Sequence, residues 1–395
     1  MNYILFDDDS WGNLLPLTFT RPVSEIRVGI LTITEKWERD LNVSVSFLTQ
    51  EYLKGKYKTL LTDDNIFING SLVPDADLVK IIGQLKSGEI LKQGNIVIAS
   101  RTDNIQTASF LNKDYSTLIQ IDSNIPILKI KYPWDIFTFN KKALKYDFEL
   151  LTKGRTSSKI SSTNQIMGAE NIFLEEGAKV ECSIINATTG PVYIGKNAEI
   201  MEGCIIRGPL ALCDDATLKL GTKIYGATTL GPHCKVGGEI NNSVLFGYSS
   251  KAHDGFLGNS VLGEWCNLGA GTNNSNLKNN YAEVRVWNLP KESFIRTGLQ
   301  FCGLIMGDHS KSAINTSFNT GTVVGVSANI FGAGFPRNFI PSFSFGGSQG
   351  FTEYNLNKVF EVAELVMQRR NLPFTSEDKQ ILNHIFGITS KYRNF

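Results

Sequence analysis

Apolar and polar positions follow two different patterns along this chain. Up to about residue 150, short apolar runs at 3–6, 43–48, 66–68, 96–99 and 125–130 alternate with polar segments. Around Ile30–Leu41 and Ala76–Leu85 the apolar residues fall at helical spacing instead. Strand-length runs separated by helical stretches predict an α/β domain over residues 1–151. Next comes TKGRTSSKISSTNQI (152–166), rich in Ser, Thr and Lys and poor in large apolar groups. Residues 152–169 therefore read as a linker.

Beyond residue 170 the interval becomes six. Ile194, Ile200, Ile206, Leu212, Leu218, Ile224, Leu230 and Val236 keep step without a miss. Four places after each stand Ala198, Cys204, Leu210, Ala216, Thr222, Thr228, Cys234 and Ile240, mostly small side chains suited to a corner. Met306, Ser312, Phe318, Val324 and Ile330 repeat the interval. A helix wants apolar residues every three or four positions and a flat strand every second, so six suits neither. It suits a triangular coil in which each unit is one short strand and one corner, with successive coils stacked at about 4.8 Å. A sandwich or barrel would show strand signals every eight to twelve residues with no fixed frame. The expectation is an all-β parallel β-helix over 170–345. After FIPSFSFGG (339–347) a helical stripe appears at Leu356, Val359, Phe360, Ala363 and Val366 or Met367. A second helix opens at Ser376 and carries Ile381, Leu382 and Ile385, so 346–395 reads as a helical extension packing on the solenoid or on a neighbouring subunit.

Composition narrows the function classes. At 395 residues the chain exceeds one compact core. With 39 Lys and Arg against 38 Asp and Glu, the net charge of +1 gives no electrostatic case for nucleic acid or a membrane surface. Any phosphate must be held locally. The N-terminus lacks a basic lead and runs into Asp7, Asp8 and Asp9, and no apolar stretch reaches membrane-spanning length, so the expected location is cytoplasmic. Six cysteines, at 182, 204, 213, 234, 266 and 302, form no C-x-x-C pair or Cys/His cluster. They are expected to be small buried thiols, with no metal site among them.

Candidate chemistry lies in KAHDGFLGNSVLGEWCNLGAGTNNSNL (251–277) and GLIMGDHSKSAINTSFNTGTVVGVSANIFGAG (303–334). The first resembles the acetyltransferase-site segment of the GlmU-type family, bifunctional glucosamine-1-phosphate acetyltransferases and N-acetylglucosamine-1-phosphate uridylyltransferases. The second is similar to the closing coils of sugar-phosphate nucleotidylyltransferases built on the same plan. The resemblance covers roughly 170–335, and the first 150 residues weakly; it is closest to the shortened bacterial forms. It implies a left-handed β-helix and a homotrimer whose sites are shared between neighbouring prisms. It also implies acetyl transfer from acetyl-CoA to the amine of an amino-sugar 1-phosphate. In AHDGFLG the family's histidine base falls on His253, while Phe256 replaces its tyrosine. In NLGAGT the match makes Asn267 a sugar contact and the Ala270 N–H the oxyanion donor. Asn276 falls on the family's Asn-Tyr pair with Leu277 in place of the tyrosine. Lys251 is a candidate for the phosphate, and Ala313 and Gly332 for the CoA wall. His309 and most glycines read as corner residues, Gly269 and Gly271 as part of the site.

ILFDDDSWGNLLPLTFTRPVSEIRVG (4–29) resembles the opening of a sugar nucleotidylyltransferase, a Rossmann-like domain whose Gly-rich loop cradles a triphosphate. Gly12 and Arg21 are the nucleotide-binding candidates. Val23 stands where the family has lysine, and Asn69 and Ser71 stand near its metal-binding Asp. Three carboxylates would repel a triphosphate, so the expectation is a degenerate nucleotidyltransferase-like domain, with Mg2+ required only if it is active. Two alternatives stay open. One is true sugar-1-phosphate nucleotidyl transfer through a rearranged site of Asp9, Arg21 and Asp103; the other is a non-catalytic trimeric scaffold.

Overall fold

The structure is a computed structural model describing all 395 residues. Its contacts divide the chain into two units: residues 1–14, 20–26 and 31–131, and residues 15–19, 27–30 and 132–395.

The first unit holds a six-stranded sheet in the order β2-β1-β3-β6-β5-β7, with β1 Asn2–Phe6, β2 Val45–Leu48, β3 Asn65–Asn69, β5 Glu89–Gln93, β6 Ile96–Thr102 and β7 Ile119–Asp122. β1 runs parallel to β2 and β3, and β6 antiparallel to β3 and β5, so the sheet is mixed. The central β3 is buried along its whole length, which explains its run of apolar residues. Besides the short α1 (Ser10–Asn13), the unit carries α2 (Ile33–Leu41), α3 (Ala76–Gly83) and α4 (Asn104–Leu111). The first and last of these three longer helices open with capping boxes, Thr32 with Glu35 and Asp103 with Gln106. A small ladder of β4 (Leu72–Val73) with β8 (Leu128–Lys129) brings Lys129 beside the end of β3.

In the second unit the six-residue interval becomes a parallel β-helix. Its first face has nine strands, among them 192–194, 210–212 and 228–230; its second has ten, among them 199–200, 217–218 and 235–236. The third face holds six strands, from 165–167 to 256–258. Register stacks Ile194, Leu212 and Leu230 in one column, Ile200, Leu218 and Val236 in a second, and Ile206 and Ile224 in a third. The eight phased aliphatics are all buried in one continuous core, each fully buried side chain contributing about 1.5–3 kcal/mol.

Beyond Val236 the coils shorten. Ile240 pairs with Leu257 on the third face, so it faces the core instead of standing at a corner. Lys251 pairs with Val236 and takes an inward position. A hairpin of Arg285–Asn288 with Ser293–Arg296 then leaves the helix between Asn273–Asn274 and Ile305–Met306, its stem closed by a bridge of Leu277 with Phe301. After the last coil, Gly350–Glu353 folds back antiparallel on Ser344–Gly347, followed by α6 (Leu356–Gln368) and α7 (Ser376–Ile388).

The boundary expected at 151/152 differs from the packing. α5 (Pro133–Thr152) belongs to the second unit, lying against first-face strands 228–230, 244–247 and 261–264. Its buried Asn140 donates to the Ala227 carbonyl at 2.9 Å, and its Asp147 accepts from the Ile30 N–H at 2.6 Å. The polar stretch after it starts the solenoid: Ser158 N–H bonds the Leu174 carbonyl and Ile160 packs on the core. All six cysteines are unbonded; five are buried, and Cys182 is exposed at a corner, against the expectation for that one thiol.

Candidate active site

Where the second face turns into the third, successive coils pass through 237–238, 252–255, 269–271, 313–315 and 331–332. Hydrogen bonds tie these corners into one edge. Gly271 N–H donates to the Asp254 carbonyl at 3.0 Å, Asn315 N–H to Ala270 at 2.7 Å, and Ala313 N–H to Ile330 at 2.8 Å. His253, Ala270, Ala313 and Gly332, four candidates spread over 80 positions of sequence, thus stack on a single prism edge.

His253 is exposed, and its imidazole makes no hydrogen bond in the chain. One coil on, the Ala270 N–H has no acceptor in the chain, while its carbonyl is taken by Asn315. Gly269 and Gly271 owe their identity to coil stacking: a Cβ at 269 would lie 2.5 Å from the Ala313 carbonyl carbon, and one at 271 would lie 2.3 Å from Asn315 Oδ1, at φ +70°.

The other candidates lie elsewhere. Lys251 is 1% exposed, and its Nζ donates to the His253 carbonyl at 2.5 Å. It faces the core in the column that also holds Val236, so it cannot meet a phosphate from solvent; it braces the His253 corner from inside. Burial, partly offset by Asp254, lowers its pKa to about 8. Asn267 points outward from the second face between Ser250 and Lys311. Asn276 stands at the far end of the third face, donating to Asn259 Oδ1 at 2.8 Å. It forms an asparagine pair away from the His253 edge. His309 occupies a corner as expected, and there it ends an aromatic ladder of His233, Tyr248, Trp265 and His309, with successive ring centroids 5.0, 4.2 and 6.2 Å apart. Aromatic residues at four neighbouring corners were visible in the sequence, but their stacking was not.

In the first unit a cavity of about 460 Å³ opens at the carboxyl ends of β1 and β3, lined by Asp7, Asp8, Asp9, Asn69, Tyr115, Lys129 and Lys131 among others. Ligands of α/β sheets bind at this end of the strands. Gly12 and Arg21 do not line it: Gly12 is inside α1, and Arg21 is 4% exposed with its guanidinium against Thr20. Asp103 caps α4 and is likewise absent from the lining, which leaves only Asp9 of the rearranged triad. The charge that sequence reading missed is Lys129, whose Nζ reaches Asp8 at 2.5 Å, Ser10 at 2.7 Å and Ser71 at 2.5 Å. Asn69 also donates to Asp8, at 3.0 Å. Burial opposes ionisation of Asp8, but Lys129 prevails and holds it below the usual carboxylate range. Asp7 is pushed up to about 7 by burial, although Thr49 and the Val23 N–H both donate to it. Asp8 is held by Lys129 and Asn69, and Asp7 by Thr49 and the Val23 N–H; no group of three or more His, Cys, Asp or Glu side chains comes together here, so these residues do not by themselves form a Mg2+ site.

No helix is long and apolar enough to cross a membrane. Residues 3–156 match the family model described as sugar nucleotidyl transferase. Over 378 residues the chain is 28% identical to a bifunctional sugar-1-phosphate nucleotidylyltransferase/acetyltransferase of Sulfurisphaera tokodaii, covering 82% of this chain and 94% of that protein. It is 30% identical over 206 residues to the bifunctional protein GlmU of Methanococcus maripaludis, a match spanning 52% of this chain and 43% of that one. Among solved structures, LpxA, a UDP-N-acetylglucosamine acyltransferase from Bacteroides fragilis, matches at 16% identity and a TM-score of 0.26, over 60% of this chain and 84% of its own. The likeness to the GlmU-type bifunctional proteins read from the motifs thus holds in the comparisons, and the chain is a transferase related to them.

Proposed function

We propose that this protein is an acetyl-CoA-dependent N-acetyltransferase acting on an amino-sugar 1-phosphate, as a cytoplasmic homotrimer whose sites lie between neighbouring prisms. The observation that carries this reading is the solvent-facing, unpartnered imidazole of His253 on the same edge as the free N–H of Ala270. The uncharged amine attacks the thioester carbonyl, a C–N bond forms, and His253 takes the amine's proton. Ala270 N–H holds the developing oxyanion. Collapse breaks the C–S bond, and the thiolate of CoA leaves with the proton that His253 returns. Ala313 and Gly332, further along the edge, are assigned to the CoA wall.

The test is release of free thiol from acetyl-CoA with glucosamine 1-phosphate and a panel of related amino-sugar phosphates. His253→Ala removes an exposed ring with no hydrogen bond in the chain, so the variant keeps its melting temperature and loses at least 100-fold in rate. No thiol release with any member of the panel would falsify the proposal.

A second activity, sugar-1-phosphate nucleotidyl transfer, has the strand-end cavity and the family match of residues 3–156 in its favour. Lys129 and Lys131 are the cations that would meet phosphate there. Its readout is pyrophosphate formed from UTP or dTTP and a sugar 1-phosphate, lost in Lys131→Gln. Silence in both assays leaves a trimeric scaffold.

A further inference from the structure

A second cavity, of about 320 Å³, lies on the outer side of the second face beneath the end of α6. Its floor is a column of outward side chains on adjacent coils: Lys235, Ser250, Asn267 and Lys311. Arg369 and Arg370, just past the end of α6, close it from above, and Tyr248 and Trp265 form a side wall. None of the residues lining it is acidic. Four cations therefore converge on one cavity, in a chain whose overall charge is almost balanced.

The arrangement is electrostatically uncompensated from within. Arg370 donates to the His233 carbonyl at 3.3 Å and Lys311 to the His309 carbonyl at 3.1 Å, but neither meets a carboxylate there. The side chains of Lys235, Ser250, Asn267 and Arg369 have no hydrogen-bond or ionic partner in the chain. The pKa of Lys235 is lowered chiefly by Arg370, as mutual repulsion requires, and Lys311 is lowered by burial. Like charges held this close raise the energy of the fold unless an anion joins them. The neutral floor, a hydroxyl and an amide between two lysines, suits a polyhydroxylated body attached to that anion. At about 320 Å³ the cavity holds a phosphorylated hexose but not a whole dinucleotide.

We infer that this cavity is a binding site for a small phosphomonoester of a polyhydroxylated molecule. Its phosphoryl group rests on Lys235, Arg369 and Arg370, and its hydroxyls on Ser250 and Asn267. Of the residues the resemblance assigns to acetyl transfer only Asn267 lines it; His253, Ala270 and Ala313 do not, and the cavity opens toward the corner of the aromatic ladder, at the other end of the same strands from the His253 edge. It gives α6 a task, that of bringing two arginines over a face that otherwise offers only lysines. The inference does not rest on acetyl transfer.

Isothermal calorimetry on the full chain, without acyl donor, tests it with inorganic phosphate, a hexose 1-phosphate, CoA and dephospho-CoA. Saturable binding of the hexose phosphate, weakened at least tenfold in Arg369→Gln/Arg370→Gln and in Lys235→Gln but unchanged in His253→Ala, is the expected result. Weaker binding of inorganic phosphate at the same residues adds support. CoA bound more tightly than dephospho-CoA, with the difference abolished by the arginine variant, names the nucleotide 3′-phosphate as the source of the same phosphoryl group. Absence of saturable heat with every probe overturns the site, as does binding that survives the arginine and lysine variants or is lost in His253→Ala. Lys235 is exposed, so its variant keeps the test readable even where the double variant loses stability.

Discussion

Lys251 occupies a position that neighbouring coils of the second face give to Val236 and Leu268, and its charge is buried for the sake of one hydrogen bond to the carbonyl of His253. A lysine of pKa about 8 in the fold and 10.5 in the unfolded chain is protonated in both states below pH 8. Between the two values the unfolded chain binds more protons, so stability rises with pH across that window. Lys251→Met removes the dependence. Melting curves from pH 7 to 10 are expected to show the wild type gaining on the variant as pH rises, by about 1–3 kcal/mol in all. Asp7 has the opposite sign: its carboxyl is raised to about 7 from 3.8, so the fold binds the extra proton and loses stability as pH climbs from about 4 to 7. Asp7→Asn, whose amide can still accept from Val23 N–H and donate to Thr49, is expected to flatten that slope and to melt higher than wild type at pH 8. At this scale the sequence names residues one by one through its motifs, and two of them, His253 and Ala270, share one edge of the prism. It was misleading about Lys251, Gly12 and Arg21, because whether a polar side chain points inward depends on coil lengths and turn geometry that no motif carries.

Elements tell a different story. The helices around 30–41 and 76–85 and the eight aliphatics from Ile194 to Val236 were legible, since periodicity survives in sequence wherever each turn or coil has the same length. Legibility failed where coils shorten after Val236 and where α5, amphipathic and preceded by strand-like runs, left the first unit to cover the first face. The corner that carries His253 illustrates what such shortening demands. Gly255 sits at φ +123°, and a Cβ there would lie 2.1 Å from the Thr272 carbonyl oxygen of the next coil. Gly255→Ala is therefore expected to cost about 2–4 kcal/mol and to lose acetyl transfer together with its melting temperature, whereas His253→Ala loses only the former. Calorimetry beside the thiol assay separates the two.

For the whole molecule, a site proposed to lie between neighbouring prisms makes assembly a condition of catalysis. Light scattering is expected to give a mass three times that of one chain, and dilution below the assembly constant should cut specific activity while leaving the β-rich circular dichroism intact. A monomer with full activity would sink the shared-site reading. The two-part architecture was readable from the change of pattern near residue 170, because a solenoid repeats its local rule at every coil. The mixed sheet of the first unit was not, since strand order depends on pairings between distant segments.

The hairpin at 285–296 leaves and rejoins the solenoid through one stem, where Leu277 bridges Phe301, so its two ends are only about 5 Å apart. Its outer part is moored to the last strand of the first face by Trp287 stacked on Phe339 at 4.7 Å, and to the C-terminal segment by Glu292 paired with Lys391. A solenoid can thus sprout a side branch without disturbing the winding above or below it. Grafting a loop of another sequence onto that stem would lengthen the protein sideways, and the mooring, not the winding, is what the graft would have to replace.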